Sequence, residues 1–180
     1  MSTSTAIDHY ERVLTPYRQA SINSDIAARI LDYGLDPDVV HLFWLYYNVL
    51  GVYMTEPVER WISNAGIACG GLGFKDVADE LLKHARHEAG HQKMMQRDSK
   101  ALLERWNDNH EVKLSLDAFD IQPLPAIVRE YIALHEDNIE SETPYCQLAI
   151  QYEVESLAPV LGPKLIKHTR DLCGDELLNC

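Results

Sequence analysis

Positive charge, cysteine and long apolar runs are all scarce in this chain. Only 16 Lys and Arg stand against 28 Asp and Glu, a formal net charge of −12. Nucleic acids and anionic membrane surfaces are bound by basic faces, so neither is expected as a partner. The four cysteines (Cys69, Cys146, Cys173 and Cys180) are scattered, with no Cys-x-x-Cys pair. That spacing excludes a zinc ribbon or a thioredoxin-type redox motif. Met1–Tyr10 carries no secretory signal pattern, so the thiols are expected to be reduced and the protein cytoplasmic. The longest apolar run, Val39–Met54, holds His41 and Asn48 and lies between Asp38 and Glu56. A bilayer span needs about 20 apolar residues, so this run reads as a buried core helix. No period-two strand pattern, internal repeat or low-complexity tract interrupts the chain.

What remains is helical patterning over a length suited to one domain, residues 1–180. The fold class expected is therefore an all-α bundle. A first helix covers about Thr5–Val13 with Pro16 able to kink it, and a second runs from Asn23 to Tyr33. Asp36-Pro37 is a cap followed by proline at the first helical position. It launches the apolar helix, which bends at Glu56-Pro57 and ends at Gly70-Gly71. One long helix follows over Phe74–Trp106, then a loop over Asn107–Gln122. Pro123 and Pro125 open a helix through Glu140, and Pro144 opens another that Gly162-Pro163 breaks. Asp175–Cys180 resembles the start of a further helix, where the sequence stops.

The Phe74–Trp106 helix carries the chemistry. Val77, Leu81, His84, Glu88, His91, Met95, Asp98 and Leu102 alternate in steps of four and three, the spacing of a seam turned toward a core. Imidazoles and a carboxylate in such a seam are costly unless something pairs with them, and a metal ion is the simplest partner. Glu88 and His91 form Glu-x-x-His, a carboxylate and an imidazole suited to iron or manganese. His87-Glu88-Ala-Gly-His91 is also a literal His-Glu-x-x-His, the zinc-hydrolase pattern in which the glutamate is the base. The extended zinc pattern would place Gly at 94 and His at 97, where Met94 and Arg97 stand. Further carboxylates come from Glu153 and Glu155. Two residues apart, they point to opposite sides of their helix, and periodicity does not choose between them. Glu56 and Glu59 read as solvated helix-end residues, and His135 as a core histidine.

His84-x-x-x-Glu88-Ala-Gly-His91-x6-Asp98, together with Tyr152-x-x-Glu155-Ser156, resembles two segments of the heme-oxygenase-like di-iron oxidases. Their superfamily also holds heme oxygenases and enzymes of the thiaminase and quinone-cofactor-synthase types. The resemblance implies a bundle of about seven helices. It implies Glu88, His91 and Glu155 as metal ligands; the residues themselves leave His84, His87 and Glu153 as second choices, and His84 and Asp98, on the same face as the ligand pair, as supporting groups. It also implies two irons, manganese being possible, and dioxygen acting on a small amino-acid-like or fatty-acid-like substrate. A homodimer is compatible with an acidic bundle of this size. That family completes its site with His-x-x-x-Asp-x-x-His on a third helix. No such segment is present; His168-Thr-Arg-Asp171 is nearest, and Leu172 lies four after His168. The expectation is that the chain ends before its last core helix and ligands. Competing readings are a zinc hydrolase, a cofactor-free or heme-handling enzyme with His9 as the axial candidate, and a non-catalytic helical module that binds a ligand or partner.

Overall fold

The computed structural model describes residues 3–119 and 121–178. Among them there is no strand: eight α-helices, α1 (Thr3–Ile22), α2 (Asp25–Ile30), α3 (Pro37–Thr55), α4 (Val58–Gly71), α5 (Lys75–Glu88), α6 (His91–Asn109), α7 (Ala126–Glu140) and α8 (Gln147–Cys173), are joined by turns and short 3-10 segments. No helix among the described residues is long and apolar enough to cross a membrane. Cys69, Cys146 and Cys173 are free thiols; Cys180 lies outside the described residues.

Local chemistry sets the helix ends. Ser24 caps α2 by accepting the Ala27 amide at 3.2 Å, and Asp36 caps α3 through the Asp38 amide at 2.9 Å, with Pro37 behind it. α4 stops where Gly73 takes a left-handed φ of 86°. The amide of Phe74 then reaches back to the Cys69 carbonyl and that of Gly73 to Gly70, the paired bonds of a glycine-terminated helix.

That turn folds α3–α4 back on α5–α6 as one long antiparallel hairpin. Near the turn Gly66 lies against Leu82 and Ala78, and further along Gly51 lies against Met95. At the open end His41 Nε2 donates to the Leu102 carbonyl at 2.8 Å, and His110 pairs with Asp38 at 3.0 Å. This register brings the bend after Thr55 level with the interruption after Glu88. One core fills the α4–α5 arm, centred on Trp61, Ile62 and Leu81, with Tyr131 and Ile132 of α7 packed on it. A second joins Leu45, Leu102 and Leu177. The segment after Gly174 is therefore a docked 3-10 turn, Asp175–Leu178, that delivers a core leucine.

Two expectations about continuity are corrected. The Phe74–Trp106 helix is not one piece. α5 ends at Glu88, Ala89 turns extended (ψ 117°), Gly90 adopts φ +91°, and α6 begins at His91. Conversely, Gly162-Pro163 does not break α8, which runs through Pro159 and Pro163 to Cys173. Each internal proline removes a helix hydrogen bond. Tertiary contacts beyond them hold the far half in place: Trp44 Nε1 donates to Thr169 Oγ1 at 2.7 Å, and His168 Nε2 to the Asp32 carbonyl at 3.0 Å. α1 likewise continues through Pro16, and α6 runs on to Asn109, into the expected loop.

Candidate metal centre

His84 and Glu88 lie one turn apart on the last two turns of α5, facing α8. From α8, Glu155 meets them. One ligand atom from each of His84, Glu88 and Glu155 lies within 4.8 Å of the other two. Glu88 is the centre of the arrangement. Its Oε2 sits 2.6 Å from His91 Nδ1 and its Oε1 3.7 Å from His84 Nε2, so one carboxylate lies between two imidazoles. Glu88 is largely shielded, His84 partly so, and Glu155 exposed.

The break at Gly90 decides which imidazole joins the carboxylates. On an unbroken helix Glu88 and His91 would be near neighbours on one face. Instead His91 is the first residue of α6 and approaches Glu88 from across the junction, as an ion-pair partner. His84 sits on unbroken helix with Glu88 and takes the place in the group that the sequence reading assigned first to His91. His87 points to solvent and is not in the group, so the two histidines of His-Glu-x-x-His do not share a helix face. Asp98 also lies outside the group, beside Arg97 at 3.1 Å.

Glu153 and Glu155 are told apart by their partners. Arg18 of α1 grips both carboxylate oxygens of Glu153, at 2.6 and 2.7 Å, and Tyr10 donates to it at 2.6 Å. The Arg18 guanidinium, helped by the Tyr10 hydroxyl, holds the Glu153 carboxyl below the ordinary carboxylate range. Tyr10, partly buried against that carboxylate, is pushed up to about 12. Glu153 is thus committed to tethering α1, and Glu155 carries no such pairing.

The other acids and histidines settle elsewhere. Glu56 and Glu59 are exposed. His9 is exposed and lies 2.9 Å from Arg12. His41 and His168 donate to carbonyls, and His110 stacks on Trp106 with ring centres 3.7 Å apart. His135 is fully buried and stacked on Trp61 at 4.4 Å.

The donor set fits a divalent transition metal. Imidazole nitrogen with carboxylate oxygens suits iron, manganese or zinc, and ligand atoms about 2.0–2.2 Å from a common ion lie no more than about 4 Å apart. A small side-chain adjustment closes the observed group to that size. Most telling is His84 Nε2: it is buried and has no hydrogen-bond partner. An orphaned buried nitrogen beside two carboxylates is what a metal ligand looks like without its ion.

Sequence reasoning passed over Gln147, Gln151 and Tyr131. Gln147 and Gln151 precede Glu155 at four-residue intervals on α8, and Tyr131 lies near enough to Glu88 for that charge, after burial, to raise its hydroxyl pKa. The four-residue stripe was there to be read; Tyr131 carried no signal. Comparison of the whole chain with protein-family models, with curated proteins and with solved structures finds no match in any of the three.

Proposed function

We propose that this chain is a non-heme iron protein of the oxygen-activating kind, built on a heme-oxygenase-like helical bundle and acting on a small amino-acid-like or fatty-acid-like molecule. The observation that carries the reading is the convergence of His84, Glu88 and Glu155, from helices far apart in sequence, around an unpartnered imidazole nitrogen. Manganese is the alternative metal. Iron bound there would supply redox chemistry toward dioxygen that no side chain offers.

The protein's own part is geometric and electrostatic. His84 and Glu88 share the rigid final turns of α5, so their spacing is preset, and Glu155 closes the site from α8. His91, 2.6 Å from the second oxygen of Glu88, restricts the rotation of that carboxylate. The Trp61–Leu81 core behind α5 excludes water on that side, while the Glu155 side is open.

Anaerobic ferrous titration tests the proposal. Iron should bind, with affinity lost in Glu88→Gln, Glu155→Gln and His84→Ala and kept in His87→Ala. Metal uptake that survives Glu88→Gln but fails in His87→Ala would instead identify a zinc site with Glu88 as base. Uptake indifferent to all four changes would leave a non-catalytic helical module.

A further inference from the structure

A cavity of about 190 Å³ lies where α2, the turn after it and the start of α3 meet the far half of α8. Its walls are apolar: Ile30, Leu35, Val40, Phe43 and Leu165 line it, with His168 and Thr169 among its α8 residues. Those α8 residues lie ten to fourteen positions beyond Glu155, about 15–21 Å along the helix at its usual rise. The cavity is therefore separate from the metal group.

Part of the lining is fixed in place. Val40, His168 and Thr169 are buried. His168 Nε2 donates to the Asp32 carbonyl at 3.0 Å, and Thr169 Oγ1 accepts from Trp44 Nε1 at 2.7 Å. A preformed apolar cavity with a few polar groups is the common form of a small-molecule site. A dry apolar cavity of about 150 Å³ holds benzene, so this one has room for an apolar body of single-ring size.

Charge selects the class of ligand. Arg29, exposed in the last turn of α2, also lines the cavity. Among the described residues no ion pair or hydrogen bond holds its guanidinium, and Asp25, one turn earlier on α2, does not claim it. The acids around the neighbouring turn are engaged elsewhere. Asp32 Oδ1 accepts the Gly34 amide at 2.8 Å, and Asp171 binds Lys167 and the Tyr33 hydroxyl. A guanidinium grips a carboxylate through two parallel hydrogen bonds, while apolar walls penalise any further charge inside. A dianion or a cation is excluded on those grounds, and an anion with one apolar end fits.

We propose that this cavity binds a monocarboxylate with a compact apolar body, the body lying between Phe43 and Leu165 and the carboxylate on Arg29. The site is independent of the metal reading and holds or fails without it.

Phenylacetate is the probe, and phenylacetamide, of nearly the same shape but uncharged, is its control. Backbone ¹H–¹⁵N spectra of the full metal-free chain should shift at Val40, Leu165 and Thr169 as phenylacetate is added, and the shifts should saturate. Phenylacetamide should bind about tenfold more weakly. Arg29→Gln, a change at an exposed position, should weaken phenylacetate by about the same factor and leave phenylacetamide as before. Equal affinity for acid and amide, or an equal loss of both in Arg29→Gln, would overturn the role of the charge and with it the proposal. Shifts centred on His84 and Glu88, or none that saturate at millimolar phenylacetate, would overturn the site itself.

Discussion

Replacing Gly90 with alanine isolates the backbone strain at the junction between Glu88 and His91. An added Cβ would meet nothing closer than Lys93 Cδ at 4.0 Å, so no clash enters. What remains is φ +91°, a left-handed backbone that disfavours an L-residue by about 1–2 kcal/mol. In a chain of this length each kcal/mol moves the melting temperature by about 2–4 °C, so Gly90→Ala should melt about 2–8 °C lower. Gly71→Ala is the matched control. Its Cβ would meet no atom within 4 Å and its φ lies outside the left-handed region. Loss of chain entropy in the unfolded state should leave it neutral or stabilised by about 0.4–1 kcal/mol. Thermal unfolding followed by far-ultraviolet circular dichroism, at one pH for both variants, makes the comparison. If Gly90→Ala melts like Gly71→Ala, the interruption is not there, and Glu88 and His91 share one helix after all.

Other expectations follow the same logic. Gly66→Ala would drive a Cβ to 3.0 Å from Leu82 Cγ and 3.3 Å from the Ala78 carbonyl, which cannot move aside, at a cost of about 1–3 kcal/mol. Gly51→Ala meets only the Met95 thioether, a flexible group, and should lose less; urea unfolding that reverses this order would contradict the hairpin register. Because the folded pKa of Glu153 is depressed, its contribution is complete above its unfolded pKa, about 4.3, and is lost as pH falls through the folded value. Protection of α1 amides, corrected for the intrinsic slowing of exchange in acid, should therefore fall below about that pH, and Arg18→Gln should lower it likewise at neutral pH. Protection factors that stay flat on acidification would mean Arg18–Glu153 does not hold α1. Glu153→Gln should free α1 yet leave metal affinity alone, whereas Glu155→Gln should do the opposite, as paired titration and exchange measurements would show.

The polar seam of α5 and the helical class were legible because both are local. A four-three alternation containing His84 and Glu88 needs only the helix period to be seen, and Asp36-Pro37 and Gly70-Gly71 mark helix ends where the structure has them. Gly90 was visible as a residue but not as a break. Glycine is tolerated inside helices at modest cost, so its presence alone does not announce the left-handed turn it adopts here. Pro159 and Pro163 mislead in the reverse direction: their local cost is real, but Thr169 and His168, docked beyond them, outweigh it. The choice between Glu153 and Glu155 lay wholly outside the local pattern. It rests on Arg18, 135 positions away in the chain, and no periodicity reports which of two neighbouring carboxylates a distant guanidinium will claim. By itself, then, the sequence determined the helical class, the caps at Ser24 and Asp36 and the residue types able to hold a metal, since these depend on near neighbours. Which of those residues meet, and which histidine is left with a bare buried nitrogen, only the tertiary structure decided, because each depends on contacts between helices far apart along the chain.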